Sequence, residues 1–470
     1  MAQVILGMPD SAKFQAESDR FNSHRRRILD LYPTGGAPLT GILSMIESEP
    51  VTDSIHTWWE DRYQSPKTTA RGTNPLTSTA PSTGDADDGT NLANGAVAVT
   101  TALYLKVAST ALLRKGLVVQ LEGASGNIQY WVESVTRGVS AEATNGYIKV
   151  YPLRAYTAAA ADDAATNIVR VIGSAMGEGA TGLSVQPISF IRPYSIMNTT
   201  QIFRTGMQFT GSVLQMGLKY DSTGPYKRQA RKKVVEHMTG IERAILFGRR
   251  STTSRTALDG SGLTETVRTM SGIEEALTLW DAGSTGVTID GATYAPYSHK
   301  TASTTDTDDE KRIISNAAGT VSVKKFNQWA ERVSRVCSNK TRDKMVLCGN
   351  TALLAMSELF RLNSNITVTP GDKIAGLEFT TMHTTFGKFH FVTHPMFNED
   401  PNGMGKWMLF LDPHCFSFRP LTNRDTKLLV NRQNPGDDFR KDEYLTEALL
   451  EFNNIEANML VKNVTNYVEA

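Results

Sequence analysis

Apolar and polar residues alternate over short runs in the stretch that follows Gly95, and this pattern predicts β-structure. Ile128, Tyr130 and Val132 alternate with Gln129, Trp131 and Glu133, which is typical of a half-buried strand. Turn signals stand at Gly123–Asn127 and at Asn145-Gly146. The sequence therefore predicts an all-β module over residues 95–172, closed as a small barrel or sandwich. Its predicted strands are Leu103–Val107, Leu117–Glu122, Ile128–Val135, Tyr147–Leu153 and Ile168–Ile172.

A different spacing of apolar residues, further along the chain, predicts one long helix. Pro225 suits the first turn, where its missing N–H costs nothing, and Gly248 suits the end after Phe247. A helix from Pro225 to Phe247 spans about 34 Å, which suggests a scaffold for other parts of the fold. Its apolar residues recur at helical spacing and form one stripe. They are Val234, Met238, Ile241 and Ile245.

The last third of the chain reads as α/β. An amphipathic helix carries Phe326, Trp329, Val333 and Val336, and Asn350 suits the cap of a helix over Thr351–Arg361. Short apolar runs between and after these helices predict strands, and alternation in the last segment predicts a strand that closes a sheet. The predicted strands are Met345–Cys348, Leu377–Met382, Phe389–Thr393, Trp407–Leu411 and Tyr444–Phe452.

The first part of the chain, up to about Glu49, has too few clustered apolar residues to build a core of its own. The segment up to about Glu49 contains the basic run His24–Arg27 and is expected to be an extended arm. The aromatic segment Ile55–Tyr63 follows, with Trp58 and Trp59 side by side. Such a pair either packs against a partner or lies on the chain's own sheet. Ser65–Gly95 is rich in Thr, Ser, Pro and Gly, as linkers are.

Composition narrows the class of protein. The chain has 470 residues, 49 Lys and Arg against 48 Asp and Glu, a formal net charge of +1, and 40% hydrophobic residues. These values fit a globular protein with more than one core, and they argue against a protein whose main task is to grip bare DNA. Three cysteines make no disulfide framework. We find no signal peptide and no apolar run long enough for a membrane helix.

Motifs for catalysis or cofactor binding are missing. The sequence has no phosphate-binding loop and no nucleophile elbow, and the glycine-rich run Gly173–Gly179 is not followed by a helix. His383, His390 and His394 are close in sequence but lack a Cys or carboxylate at zinc spacing, so we interpret them as partly exposed sheet residues. We predict no catalytic residue, no cofactor, no metal and no enzyme activity.

Two basic clusters remain as candidate contact sites. One is His24–Arg27; the other is Lys227–Lys233, in the first turns of the long helix, where cations oppose the helix dipole. An acidic partner would relieve the second cluster, although a solvated helix face also explains it. The acidic run Asp306–Glu310 carries charge of the opposite sign.

Several short stretches, taken in order, resemble the major capsid proteins of tailed bacteriophages. They span most of the chain outside the β-module and the long loops. The stretches are His56–Asp61, Glu178-Gly179, Asn198–Arg204, Phe209–Gly211, Ile241–Gly248, Arg268–Ile273, His394-Pro395, Leu411–Pro413, Arg419–Leu421, Arg424–Thr426 and Tyr444–Glu447. The resemblance implies an α+β fold of the Hong-Kong-97 type, within a subgroup that carries a β-domain inserted at the extended loop.

The resemblance also implies a division into named parts. Residues 1–54 would be the N-terminal arm, 55–64 and 186–214 the extended loop, and 65–185 the linker and inserted β-domain. Residues 215–320 would be the peripheral domain with its spine helix, 321–421 the axial α/β domain, and 422–470 the return to the peripheral domain.

The implied function is self-assembly into the icosahedral head shell that encloses packaged double-stranded DNA. Partners would be many copies of the chain itself, as pentamers and hexamers, with scaffolding, portal and decoration or cement proteins, and weak non-specific contact with DNA. The expected location is the virion, after assembly in the host cytoplasm, with no membrane. Candidate contacts between subunits are Arg25, Arg26, Arg27, Trp58, Trp59, Asp61, Phe203, Arg204, Arg228, Arg231 and Lys232.

Two other functions stay open at this stage. An encapsulin-like compartment shell shares the implied fold, and an enzyme or carbohydrate-binding protein could use the β-module to hold its substrate. The absence of catalytic motifs argues against the enzyme.

Overall fold

The computed structural model describes most of the chain after residue 47. The described residues are 48–60, 67–72, 75–82, 90, 92, 95–110, 112–123, 126–138, 144–158, 167–178, 193–216, 224–256, 264–282, 287–289, 292–294, 311–335, 343–362, 368–374 and 377–468. The chain divides into two compact units, Asp61–Pro193 on one side and Met1–Glu60 with Tyr194–Ala470 on the other. A separate β-rich unit inserted into a mixed α+β unit confirms the predicted fold class.

The secondary-structure elements are numbered in chain order. The helices within the described residues are α1 (Gly211–Gln215), α2 (Pro225–Phe247), α3 (Ile273–Ala282), α4 (Val323–Arg335) and α5 (Asn350–Leu362). The first ten strands are β1 (Ile55–Glu60), β2 (Lys67–Thr69), β3 (Leu76–Thr77), β4 (Gly95–Val97), β5 (Leu103–Ser109), β6 (Leu117–Gly123), β7 (Gly126–Thr136), β8 (Thr144–Pro152), β9 (Tyr156–Ala158) and β10 (Ile168–Ser174). The next ten are β11 (Tyr194–Thr199), β12 (Gln201–Thr210), β13 (Ser251–Thr256), β14 (Thr264–Thr269), β15 (Val287–Ile289), β16 (Ala292–Tyr294), β17 (Ile313–Ser315), β18 (Thr320–Val321), β19 (Lys344–Cys348) and β20 (Val368–Ile374). The last eight are β21 (Leu377–Thr384), β22 (Gly387–Thr393), β23 (Met408–Leu411), β24 (Phe416–Pro420), β25 (Lys427–Leu429), β26 (Phe439–Phe452), β27 (Met459–Lys462) and β28 (Asn466–Tyr467).

The smaller unit is a β-barrel. Its strands run in the order β2-β10-β6-β7-β8-β5-β3. The chain just after β2 pairs with β5 through an Ala70–Val107 bridge, and the Arg71 N–H donates to the carbonyl of Lys106 at 3.1 Å. Because β2 also pairs with β10, these contacts close the sheet on itself. The five strands predicted from alternation are all present.

Alternation along β7 explains the barrel's core. Ile128, Tyr130 and Val132 are buried, whereas Gln129 is exposed and Trp131 is half-buried. The Tyr130 hydroxyl lies 2.8 Å from the hydroxyl of Tyr156, so this buried aromatic residue keeps its hydrogen bond.

A seven-stranded mixed sheet organises the C-terminal half of the larger unit. Its order is β17-β27-β23-β19-β22-β21-β20. Strand β19 is buried along its whole length, and its alternate residues face two different cores. Val346 and Cys348 pack with α4 and α5, whereas Met345 and Leu347 pack with α2 and α3. A strand buried on both faces reads as a continuous apolar run, which is the pattern predicted for Met345–Cys348.

A second, four-stranded sheet contains the longest strand of the described chain. Strand β26 lies in the middle, with β12 on one side and β24 and β25 on the other. Helix α2 has the predicted bounds and covers one face of this sheet. Its buried residues are not apolar alone, because His237 and Glu242 are buried beside Ile241 and Ile245. One apolar cluster joins α2, α3 and both sheets into a common core.

Cys348 and Cys415 are both free and buried, as expected of small core residues. The third cysteine, Cys337, and Val336 of the predicted α4 stripe lie outside the described residues. Among the described helices, none has the length and apolar composition needed to span a bilayer.

We expect Gly349→Ala to destabilise the larger unit by about 1–3 kcal/mol, since a Cβ there would overlap the carbonyl oxygen of Gly405. The measurement is the free energy of unfolding of the unassembled subunit in denaturant. Gly240→Ala is the matched control: no atom lies within 4 Å of its Cβ position, in the middle of α2. A helix prefers Ala to Gly, so the control should gain stability. Equal stability of the two variants would contradict the close approach at Gly349.

Candidate functional site

The two adjacent tryptophans point to opposite sides of β1. This strand pairs antiparallel with β11, and successive side chains of a strand alternate between faces. Trp58 is 8% exposed, lies in the core, and its Nε1–H donates to the carbonyl of Phe452 at 2.9 Å. Trp59 is 63% exposed. The prediction of Trp58 as a contact between subunits is therefore wrong, because its indole is used within its own chain. Trp59 keeps that role as a prediction.

Phe203 and Arg204 show the same division on β12. Phe203 is half-buried and packs against the core shared with α2. Arg204 lies on the opposite face, where both ends of its guanidinium donate to the carboxylate of Glu443, with Nη2 at 2.7 Å from Oε2. Arg204 thus presents a side chain that is 59% exposed but already paired.

A row of buried carboxylates runs along the face of β26 that points away from α2. Glu443, Glu447 and Glu451 recur at every fourth residue, so all three lie on one face, and each side chain is at most 7% exposed. Every one of them is paired with an arginine from another segment. Arg204 and Arg432 pair with Glu443, Arg424 with Glu447, and Arg419 with Glu451. We name these residues the glutamate–arginine row.

Further polar contacts complete the row. Thr200 donates its hydroxyl to Glu447 at 2.9 Å, and His56 Nε2 lies 3.2 Å from Glu451. Arg419 also donates to Glu49, near the end of the predicted arm, at 3.1 Å. A buried carboxylate is costly without a partner, and removing one partner of such a pair costs about 3–5 kcal/mol. The row therefore ties four separate segments to one strand.

On the other face of β26, Asp442 receives three hydrogen bonds. The Tyr226 hydroxyl donates to Asp442 at 2.6 Å, the Asn431 N–H at 2.7 Å and Arg440 Nε at 2.8 Å. Burial alone would raise the pKa of Asp442, but these donors outweigh it, so the pKa of the carboxyl lies below its ordinary value. Burial and the neighbouring carboxylate raise the pKa of Tyr226. Asp442 thus anchors the first turn of α2 to the sheet.

The basic cluster lies where it was predicted, on the first turns of α2. The N-terminal turn of the helix contains no acidic residue. Arg231 is exposed, whereas Arg228 and Lys232 are half-buried. Lys233 pairs with Glu236 one turn later at 2.8 Å. Because no acidic residue offsets the helix dipole in this turn, the cluster remains a candidate for an acidic partner.

Some predicted residues lie outside the described part of the chain. These are Arg25, Arg26, Arg27, Asp61 and the acidic run Asp306–Glu310.

The three clustered histidines do not converge. His383 is exposed, and His390 lies half-buried with its Nδ1 3.0 Å from the Thr381 hydroxyl. The interpretation of His394 as partly exposed is wrong: it is fully buried, and its Nε2 lies 2.6 Å from Glu242 of α2. His394 Nδ1 accepts the Met396 N–H, so the histidine links α2 to the turn after β22. Within the described residues, no group of three or more His, Cys, Asp or Glu side chains could hold a metal.

The family model described as the SU10 major capsid protein matches residues 11–465. The chain belongs to this family. Family membership makes it a structural protein of a phage virion, one that forms the head shell from many copies. Among the functions left open by the sequence, the match favours the head shell, since it extends over nearly the whole chain and includes the inserted unit.

Comparison with curated proteins gives no match. Among solved structures, the Cyanophage A-1(L) capsid aligns at 13% identity and a TM-score of 0.37, covering 62% of this chain and 85% of that one. Mycobacterium phage Patience aligns at 11% and 0.36, covering 62% and 78%. The SrpI encapsulin of Synechococcus elongatus aligns at 9% and 0.36, covering 59% and 79%. Likenesses this low support no further conclusion, so the assignment rests on the family match.

We expect Trp58→Ala and Trp59→Ala to differ sharply in the unassembled subunit. Removing the buried indole of Trp58 should lower the free energy of unfolding by about 3–5 kcal/mol. The same change at exposed Trp59 should alter it by less than about 0.5 kcal/mol. Denaturant unfolding of both variants measures the difference. A large loss at Trp59 would contradict its placement on the open face.

We expect Tyr226→Phe to destabilise the subunit at neutral pH by about 1–2 kcal/mol, because it removes a hydrogen bond to the charged Asp442. The folded-state pKa of Asp442 is depressed, so its stabilising contribution is complete above its ordinary value of 3.8 and is lost as the pH falls through the lower folded-state pKa. The difference between wild type and variant should therefore shrink below about pH 4. Unfolding free energies from pH 7 to pH 2.5 give the test, and a difference that stays constant would contradict it.

Proposed function

We propose that identical copies of this chain close into rings of five and six, and that these rings tile an icosahedral head shell around packaged double-stranded DNA. The family match over residues 11–465 is the observation that carries this proposal. A head-to-tail interface generates a ring when its rotation closes, so one interface serves pentamers and hexamers if parts of it bend. The role of the chain in this shell is structural, with no enzymatic step.

The described residues support a division between rigid and adaptable parts. The two sheets, α2 and α3 share one apolar core, which supplies a frame that packs like a protein interior. Segments outside that frame are then available to meet neighbours. We assign residues 1–54 as the arm, 55–64 and 186–214 as the extended loop, 215–320 with 422–470 as the peripheral part, and 321–421 as the axial part.

The net charge of the chain is consistent with a subunit of a shell that contains DNA. The net charge of +1 leaves the chain without the excess of cations that tight DNA binding needs, so contact with packaged DNA would be weak and non-specific. Complementary patches between copies would set their register. Scaffolding, portal and decoration proteins are the further partners, and assembly would take place in the host cytoplasm.

Removing residues 1–47 should leave a folded subunit that fails to form stable shells. The cut must stop there, because the Val51 N–H donates to the carbonyl of Pro420 at 2.9 Å and Glu49 pairs with Arg419. Circular dichroism and unfolding report the fold, and electron microscopy with sedimentation reports shells. Normal particles from this truncation would refute the arm assignment.

Charge reversal of Arg228, Arg231 and Lys232 to Glu should reduce the yield of shells at least about tenfold while lowering subunit stability little, because the cluster would then repel an acidic partner. Sedimentation of expressed particles measures the yield. The matched control reverses three exposed cations of the barrel unit, Arg114, Lys115 and Arg137, for the same change in net charge. Equal loss of folding and assembly at α2 would mean that the cluster supports only its own chain.

A further inference from the structure

Four adjacent strands of the barrel, in the order β10-β6-β7-β8, carry a strip of aromatic and apolar side chains on their outer face. The two neighbours of Trp131 in β7 point into the core, so Trp131 points outward. It lies directly opposite Val118 of β6 on one side and Tyr151 of β8 on the other. Gly173 of β10 continues the row, opposite Val118. The two aromatic residues therefore stand in line across the strands.

The strip extends onto the end of β10 and the residues after it. Ile172 and Met176 are 51% and 65% exposed there. Trp131 is oriented by its Nε1–H, which donates to the carbonyl of Ala175 at 2.9 Å. On the other side, Lys149 Nζ lies 5.6 Å from the centroid of the Tyr151 ring. Both half-buried aromatic side chains are thus held by contacts within the barrel, and they lose little freedom when a ligand binds.

A pair of amides lies beside the strip, two residues further along the strands. Gln120 of β6 and Gln129 of β7 are opposite one another. They share the outer face with Val118 and Trp131, because side chains two residues apart on a strand point the same way. Among the described residues, neither side-chain amide has a hydrogen-bond partner. Each amide offers two donors and an acceptor oxygen, which suits a ligand with many hydroxyl groups.

The charged side chains of these four strands neutralise one another. Arg170 Nη2 lies 2.8 Å from Glu122 Oε1, and Lys149 Nζ lies 2.6 Å from Glu133 Oε2. Strands β6, β7, β8 and β10 contain no other charged residue. Because neither sign is in excess, this face complements neither an anionic nor a cationic ligand. Its exposed aromatic and amide groups instead suit a neutral one.

The size of the strip favours a carbohydrate over a protein partner. Three gaps of about 4.8 Å between four strands, and one step of about 7 Å along them, enclose roughly 100 Å². A stable protein interface buries about 800 Å² on each partner. A short run of sugar rings fits the smaller area, since each ring can turn a C–H face to an aromatic side chain and its hydroxyl groups to the amides.

We propose that this strip binds a neutral oligosaccharide, with sugar rings stacked on Trp131 and Tyr151 and their hydroxyl groups bonded to Gln120 and Gln129. A single strip binds weakly, because it is an open surface and leaves much of the ligand in water. The inference rests on the proposed function only for its multiplication. A shell carries many copies of the strip, and many weak contacts with one polysaccharide add up to a strong one.

Isothermal titration of the unassembled full-length subunit tests the proposal, with maltohexaose, cellohexaose and chitohexaose as probes. Wild type should bind at least one of the three. Trp131→Ala should weaken that binding about tenfold or more, because it removes the larger stacking surface. Gln129→Ala should weaken it about threefold to tenfold through the loss of a hydrogen bond. Gln208→Ala is the matched control and should bind as wild type does, since Gln208 is an exposed strand residue of β12, outside the barrel.

Unfolding in denaturant shows whether each variant keeps its fold. Gln129 is exposed, so Gln129→Ala should leave the free energy of unfolding nearly unchanged and tests the strip even where Trp131→Ala loses stability. No binding of the three probes by wild type would overturn the proposal, as would equal affinity of wild type and Gln129→Ala. Binding of polygalacturonate alone would contradict the neutral ligand class.

The yield of shells separates this inference from the proposed function. Gln129→Ala should form shells at the wild-type yield. A fall in that yield from a folded subunit would make the strip a contact between copies, and the carbohydrate proposal would be wrong. If wild type binds an oligosaccharide through the strip but forms no rings or shells under any assembly condition, the proposed function fails while this inference stands.

Discussion

Burying three glutamates on one strand is the constraint on which the larger unit depends. Each carboxylate of the glutamate–arginine row would be costly without its cation, and the cations come from β12, from β24 and from the loops on both sides of β25. Shifting β26 by one residue would turn the glutamates toward the core that Leu450 and Phe452 occupy. The pairing therefore fixes the register of the sheet more strongly than apolar packing alone would, and helix α2 is positioned on a sheet whose strands cannot slide.

This arrangement also accounts for how charge is distributed. Arginines that are half or more exposed, such as Arg204 and Arg432, are paired with carboxylates that are nearly buried. The buried glutamates largely neutralise the positive charge of these arginines at the surface. This suits a chain with a net charge of +1 that packs beside many copies of itself. Lysines and arginines are clustered in the first turns of α2, where the helix has no acidic residue.

Local signals in the sequence predicted the regular elements well. The bounds of α2 were predicted because Pro225 and Gly248 mark its ends independently of tertiary structure, and the barrel strands because alternation and turns recur at short spacing. A strand was predicted over Tyr444–Phe452, but nothing local indicated that its glutamates would be buried. Their partner Arg204 lies 239 residues away from Glu443. The burial of His394 was not predicted for the same reason, because its partner Glu242 lies on α2, far away in the sequence. Trp58 and Trp59 differ only by strand face, which pairing with β11 determines.

The barrel is inserted into the larger unit at a point of unusual tolerance. The chain leaves β1 at Glu60 and returns in β11 at Tyr194, and these two residues are opposite one another in the antiparallel pair. Directly opposed residues have their Cα atoms only about 4.5–5.5 Å apart. A tight turn could bridge that gap, and any domain whose own termini meet could occupy it. The frame of the shell subunit therefore constrains where the two ends of the inserted unit lie, and not how large that unit is.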